Sequence, residues 1–432
     1  MFSTCLSINE KGHLAISGCD TVELAGVYGT PLYVMSEDEI RRVCRSYVDS
    51  FEKYYHGRGR TIYASKAFSC LEIIRIVLSE GLDVEVVSGG ELYTALKAGA
   101  PGDKIHFQGN NKSTAELQMA LENNVGDIVV DNLPELLELH ELAERSGKTA
   151  QISLRITPGI EAHTHEFIRT GQIDSKFGTD LQSGAAMALV DQALAMDNIV
   201  LKGLHCHIGS QVHDKEPFVH AAQVMLGFYK EVYDKHVGFA FKHLNLGGGF
   251  GIHYTEKDQA IPYDHYMKAM SAAIFDKCSA LGIPVPEVFI EPGRSIVGEA
   301  GITLYTVGNI KEIPDVRSYV AIDGGMYENP RYALYQSDYT CLIANRAGEK
   351  ADYIATVAGK CCESGDLIQE HTPIQMPRRG DILAVLSTGA YNYSMASNYN
   401  RNPRPACVMV SGGAHRLVLR RETYEDLIRC DI

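Results

Sequence analysis

Thr61-Ile62-Tyr63-Ala64-Ser65-Lys66-Ala67 is an apolar, strand-like run that stops on a lysine. Comparable short runs follow at Asp83–Val87, Lys104–Phe107, Asp127–Val130, Gln151–Ile156, Leu201–His207, His243–Leu246 and Glu287–Ile290. Between them lie segments such as Leu71–Leu78 and Pro134–Glu144, whose apolar residues return at helical spacing. With Thr61–Ser65 as the first, eight strands mostly alternating with helices predict an α/β fold, a (β/α)8 TIM barrel. The runs end in residues able to do chemistry: Lys66, Ser88, Gln108, Asp131, Arg155, His207, Gly247 and Glu291. Barrel active sites form at the carboxyl ends of the strands, so these positions outline the expected mouth.

Downstream the rhythm changes. Ile302–Val307, Ser318–Ile322, Ala351–Val357, Asp381–Val385 and Ala406–Val410 read as strands separated by turn residues, with little helical period. Thr30–Val34, after Tyr28-Gly29, also reads as a strand and is expected to complete that sheet. The expected organisation is a barrel over residues 36–285 and a β-sandwich or barrel-like domain built from residues 1–35 and 286–432. A chain of 432 residues is long enough to give each its own core.

Composition narrows the function. Apolar content of 45% and charged content of 22% are those of an ordinary globular protein. No apolar run approaches the roughly 20 residues of a membrane span, and the start, Met1-Phe2-Ser3-Thr4-Cys5, lacks a basic segment leading into an apolar one. A cytoplasmic protein is expected. The 11 cysteines are scattered and odd in number, which favours reduced thiols. His205-Cys206-His207 and Cys361-Cys362 lack the paired ligand spacing of a zinc site, so no metal is expected. A net charge of −14 argues against nucleic acid and against an anionic membrane, leaving small molecules as partners.

Five further segments admit two readings each. Gly247-Gly248-Gly249-Phe250-Gly251 is either a tight turn or a loop whose backbone N–H groups approach a phosphate; it is neither a Walker loop nor a dinucleotide fingerprint. In His205-Cys206-His207-Ile208-Gly209-Ser210-Gln211, strand alternation would put His205 and His207 on one face, as core histidines or against an aromatic cofactor with Ser210 on a phosphate. Glu291-Pro292-Gly293-Arg294-Ser295 is a surface turn with a Glu–Arg pair, or a carboxylate that keeps a pyridine nitrogen protonated. Cys361-Cys362-Glu363-Ser364-Gly365-Asp366 is an acidic turn, or a thiol beside carboxylates that would suit a proton donor. Tyrosines of Gly389-Ala390-Tyr391-Asn392-Tyr393-Ser394 offer phenol hydroxyls or simply pack. A partly buried lysine such as Lys66 becomes a nucleophile able to form a Schiff base, as with pyridoxal 5'-phosphate (PLP).

Taken in order, Tyr63–Ala67, His205–Gln211, Gly247–Gly251, Glu291–Ser295, Cys362–Asp366 and Gly389–Tyr391 resemble the fold-type III PLP-dependent decarboxylases, the ornithine, diaminopimelate and arginine decarboxylase group. Within it the chain looks most like the diaminopimelate decarboxylases, from Gly29-Thr30-Pro31-Leu32-Tyr33 to Asn402-Pro403-Arg404-Pro405. The resemblance implies that Lys66 carries PLP and His207 lies on its ring. It assigns the phosphate to Ser210, Gly248, Gly249 and Tyr391, and counts Gly293 and Arg294 among the cofactor-binding residues. It pairs Glu291 with the pyridine nitrogen, assisted by Glu85, where relatives often carry Asp. Arg294, Arg331, Tyr335 and Tyr391 would bind substrate, Glu363 would take a distal ammonium, and Cys362 would donate a proton from the partner subunit of a homodimer with shared sites. The implied reaction is decarboxylation of meso-diaminopimelate to lysine and carbon dioxide, the last step of lysine biosynthesis. Competing expectations are a decarboxylase of ornithine, lysine, arginine or a carboxylated polyamine such as carboxynorspermidine, an amino-acid racemase, and a non-catalytic PLP-binding regulator.

Overall fold

The structure, a computed structural model, describes residues 3–159 and 175–432. It divides into two units, Val43–Gly251 with Ala260–Gly293, and Met1–Arg42 with Ile252–Gln259 and Arg294–Ile432.

The first unit is a closed parallel barrel. Its strands are β1 (Gly59–Ala64), β2 (Asp83–Val86), β3 (Ile105–Phe107), β4 (Asp127–Val130), β5 (Ala150–Thr157), β6 (Ile199–His205), β7 (His243–Asn245) and β8 (Glu287–Ile290). Closure is made where β8 pairs with β1, Ile290 opposite Thr61. All eight expected strands are present, and those at Asp127 and Glu287 keep both expected ends. Ile62, Val84, Val86, Phe107, Ile128 and Val130 are buried, as a sheet covered on both faces requires. Local signals set the helix ends: Ser113 and Glu116 form a capping box on Thr114–Glu122, and Asn132 caps Leu133–Ser146, which stops at left-handed Gly147. Ser88, read from sequence as a strand-end functional residue, instead caps Gly89–Ala98 by accepting from Glu91 N–H.

Near the amino ends of the strands the barrel interior is polar. His106 Nε2 lies 3.3 Å from Asp83 and its Nδ1 3.6 Å from Asp127. His243 Nε2 lies 3.3 Å from Asp127 and 2.7 Å from Ser153 Oγ, which also donates to Asp127. Burial opposes a charged His106, but Asp127 and Asp83 outweigh it and raise the imidazole to about 9. A proton bound more tightly in the folded chain stabilises it in full below pH 6.5, and this contribution fades as pH rises through about 9. The melting temperature is therefore expected to fall across that window, and His106→Gln to flatten the fall. The same slope in both proteins would place the responsible proton on another group.

The second unit is mainly β. Its principal sheet runs Leu367–Ile374, Tyr353–Ala358, Arg317–Ile322, Gly301–Ile313, Leu32–Ser36, Ala406–Ser411, Ala414–Leu419. Strand Leu32–Ser36 sits inside this order, antiparallel to Gly301–Ile313 and parallel to Ala406–Ser411, so the N-terminal segment completes the sheet. Gly301–Ile313 alternates sides: Ile302 and Leu304 enter one apolar cluster, Tyr305 and Val307 the other. A separate three-stranded sheet, Leu6–Ile8, Leu14–Ile16 and Cys19–Asp20, lay outside the sequence expectation.

Candidate active site

In the barrel unit, Lys66 sits two residues beyond β1, on the single-turn helix Ser65–Ala67. Its Nζ lies 3.6 Å from Glu85 Oε1, at the carboxyl end of β2. Lys66 is half-exposed whereas Glu85 is buried, and among the described residues neither Glu85 oxygen has a hydrogen-bond partner. Burial pushes the Glu85 carboxyl up to about 7, with Glu291 adding to the rise and Lys66 opposing it.

Glu291, just past β8, has the opposite environment. Asn245 Nδ2 donates to its Oε1 at 2.7 Å, Gln108 Nε2 donates to the same oxygen, and His205 Nε2 lies 3.1 Å from Oε2. Burial disfavours its charge, but His205 and Gln108 outweigh that and hold the carboxyl well below its ordinary value. These neighbouring carboxylates are thus driven apart, a pattern that marks sites of proton chemistry.

β6 ends at His205, so His205 and His207 do not continue one alternating face. His205 is the fully buried histidine that meets Glu291, while half-buried His207 packs beside Gly247 in the following loop. Burial, then Lys66 and Arg155, depress the His207 imidazole well below its ordinary range, so it is neutral. Ser210 is half-buried in the same loop, before Gln211 at φ 58°.

Glycine is structurally required in the loop after β7. A Cβ on Gly248 would fall 2.0 Å from the Glu291 carbonyl oxygen, and one on Gly249, at φ 113°, 2.2 Å from that of Gly209. A Cβ on Gly293 would fall 2.9 Å from Ala64 and 3.1 Å from Ala67. A planar ring with a phosphate tail fits this donor set: an ionised carboxylate, a neutral imidazole, an amine, a second carboxylate whose oxygens lack donors among the described residues, and a glycine loop without side chains. Asn245 was not singled out in the sequence, since a strand-end Asn carries no motif signal.

In the second unit, Arg331 begins the short helix Arg331–Tyr335 and is buried. Its guanidinium donates to Tyr339 Oη and Ser337 Oγ, each at 3.0 Å, and lies 4.6 Å from the Tyr254 ring centroid. Among the described residues no carboxylate pairs with it. Arg294 is also buried, donates to Tyr254 Oη and lies 4.7 Å from the Tyr391 ring centroid. The two arginines therefore share Tyr254, which together with Tyr339 the sequence reading missed. Glu291 and Arg294 are both buried, so the Glu291–Ser295 segment is not a surface turn. Tyr391 holds φ 61°, in the left-handed region that a tyrosine rarely adopts and that functional positions tolerate. Tyr335, at the end of the short helix, is half-buried.

The adjacent cysteines separate cleanly. Cys361 is buried, and burial followed by Asp366 pushes its thiol up to about 12. Cys362 is exposed, with its N–H donating to Asn400 Oδ1 at 2.6 Å. Glu363 is exposed beside Tyr399. Among the described residues no group of three or more His, Cys, Asp or Glu side chains could hold a metal, and no helix is long and apolar enough to cross a membrane.

Residues 37–298 match the family model for the pyridoxal binding domain of the pyridoxal-dependent decarboxylases. Over 424 residues the chain is 50% identical to the diaminopimelate decarboxylase of Bacillus subtilis (strain 168), covering 98% of this chain and 96% of that one. It is 51% identical over 421 residues to that of Bacillus methanolicus, with 98% and 97% covered. Among solved structures, the diaminopimelate decarboxylase from M. jannaschii in co-complex with L-lysine superposes with a TM-score of 0.92 at 37% identity, covering 100% of this chain and 99% of that one.

Proposed function

From the membership of this chain in the pyridoxal-dependent decarboxylase family, on its diaminopimelate decarboxylase branch, we infer that it releases carbon dioxide from meso-diaminopimelate and leaves lysine. The observation that carries the substrate is Arg331, a buried guanidinium without a carboxylate partner among the described residues. A buried cation stacked on tyrosine rings favours an anionic ligand, and a carboxylate supplies two acceptors for its fork. Meso-diaminopimelate carries a distal carboxylate that ornithine and lysine lack.

The residues fit PLP, which when bound supplies an electron sink for the pair released as carbon dioxide departs. Lys66 would hold the cofactor through its amine. Glu291, kept ionised by His205 and Gln108, holds a proton on the pyridine nitrogen. Neutral His207 would lie against the ring without competing for that proton. Ser210, Gly248, Gly249 and Tyr391 would take the phosphate, Gly293 and Arg294 would complete the cofactor's surroundings, and Glu85 adds a carboxylate beside Lys66. Arg331, with Arg294, Tyr335 and Tyr391, orients the distal carboxylate, and Glu363 takes the distal ammonium. Cys362, exposed on its own chain, returns a proton to Cα in the site of a partner subunit, which makes the functional unit a homodimer of the cytoplasm.

The direct test is carbon dioxide release from meso-diaminopimelate, compared with ornithine and lysine. Arg331→Ala is expected to lower kcat/KM for meso-diaminopimelate roughly a hundredfold, about 3 kcal/mol for a lost charge-assisted contact, with the cofactor absorbance unchanged. It also removes the charge that repels a bare distal ammonium, so lysine and ornithine turnover should rise relative to diaminopimelate. If efficiency and ratio both stay put, Arg331 is not the selector.

A further inference from the structure

Two loops of the second unit meet on one carboxylate. Asp366 is buried, its Oδ1 accepts the Met326 N–H at 2.6 Å, and its Oδ2 accepts the Cys361 N–H at 2.7 Å. Met326 lies in the turn of Gly325–Asn329, closed by Glu328 and Asn329 N–H groups on the Gly325 carbonyl, and Pro330 then leads directly into Arg331. Cys361 precedes Cys362 and Glu363. Two backbone bonds reinforce the junction, Lys360 N–H to Gly324 O and Gly359 N–H to Asp366 O, both 2.9 Å. Neither loop leaves space for a different arrangement: a Cβ on Gly325 would fall 2.5 Å from Asp366 Oδ2, and one on Gly359 2.2 Å from it.

We propose that Asp366 is a positioning residue that ties the loop presenting Arg331 to the loop presenting Cys362 and Glu363, so that substrate selection and proton return depend on one shared anchor. This rests on the roles given to Arg331 and Cys362 above. The chemistry needs a carboxylate because each oxygen receives its own backbone N–H. An amide of the same shape has one acceptor, and its NH2 group turned toward either amide would set donor against donor. Replacing Asp366 by Asn therefore releases at least one loop, and through the shared turn it strains the other.

The test reads both loops without relying on turnover. Amide hydrogen exchange is measured on the holoenzyme for Gly324–Arg331 and for Lys360–Asp366, in wild type, Asp366→Asn and Gly325→Ala. Loss of one such bond corresponds to about tenfold faster exchange, the equivalent of ~1.4 kcal/mol. In Asp366→Asn both segments are expected to speed up by about that factor or more. Gly325→Ala leaves Asp366 in place but pushes on it from the Arg331 side, so it should accelerate Lys360–Asp366 as well, and it carries the test if Asp366→Asn does not fold. Kinetically, Asp366→Asn should both raise KM for meso-diaminopimelate and lower kcat, with PLP affinity unchanged. Faster exchange confined to one loop in both variants overturns the shared anchor. Coupled exchange with KM and kcat unchanged would keep the anchor and instead remove Arg331 and Cys362 from the reaction.

Discussion

Lys66→Ala is expected to reduce decarboxylation to background, a loss of roughly 10⁴-fold or more of the kind seen when a covalent residue is removed. The barrel offers two lysines near the ends of its first strands, and their surroundings distinguish them. Lys112 Nζ is buried and donates to Gly109 O at 2.9 Å, Val129 O at 2.7 Å and Glu135 Oε1 at 2.7 Å. Three acceptors use its three protons, so it is a structural cation and a poor nucleophile. Lys66 is half-exposed, with Glu85 at 3.6 Å as a weak ion-pair partner, and can reach a ligand. Borohydride reduction of the PLP-loaded wild-type protein should fix the cofactor on a Lys66 peptide, and Lys66→Ala should yield no fixed cofactor. A reducible adduct surviving in Lys66→Ala would move the covalent link to another amine.

The barrel was legible in the sequence because its code is local. Strand runs such as Asp127–Val130 are short, apolar and bounded by helical periods, and the alternation alone determines the topology. The second unit was less legible where strands are edge-like or brief. Ala414–Leu419 carries His415 and Arg416 and is largely exposed, and Cys341–Ile343 is only three residues long, so neither shows alternation. Site residues with motif spacing could be proposed from order alone. Their supporting partners could not, because His205, Gln108 and Asn245 reach Glu291 from separate strands, at separations of 46 to 183 residues along the chain. The division between buried Cys361 and exposed Cys362 was likewise invisible, since it depends on Asp366 folding back onto the backbone.

That convergence makes Glu291 the second position where a small change should have a very large effect. Glu291→Gln keeps size and shape. With Oε1 still facing Gln108 and Asn245, the new amide nitrogen faces His205 Nε2, which can accept by adopting the other neutral tautomer. The fold and cofactor binding should therefore survive, as checked by melting temperature and PLP absorbance. What disappears is the negative charge opposite the pyridine nitrogen. Each ~1.4 kcal/mol of lost transition-state stabilisation is tenfold in rate, and a buried charge contact of about 4 kcal/mol gives a kcat roughly a thousandfold lower. Because an amide does not ionise near neutrality, raising the pH should recover none of this. Glu85 provides the internal comparison. Its carboxyl is raised to about 7 and accepts no hydrogen bond from the described residues, so near pH 7 much of it is already neutral and Glu85→Gln removes less charge. At pH 7 the loss in kcat from Glu85→Gln should be clearly smaller than that from Glu291→Gln. Equal losses, or a Glu291→Gln enzyme with unchanged turnover, would mean that the ionised carboxylate at the end of β8 is not what sustains the electron sink.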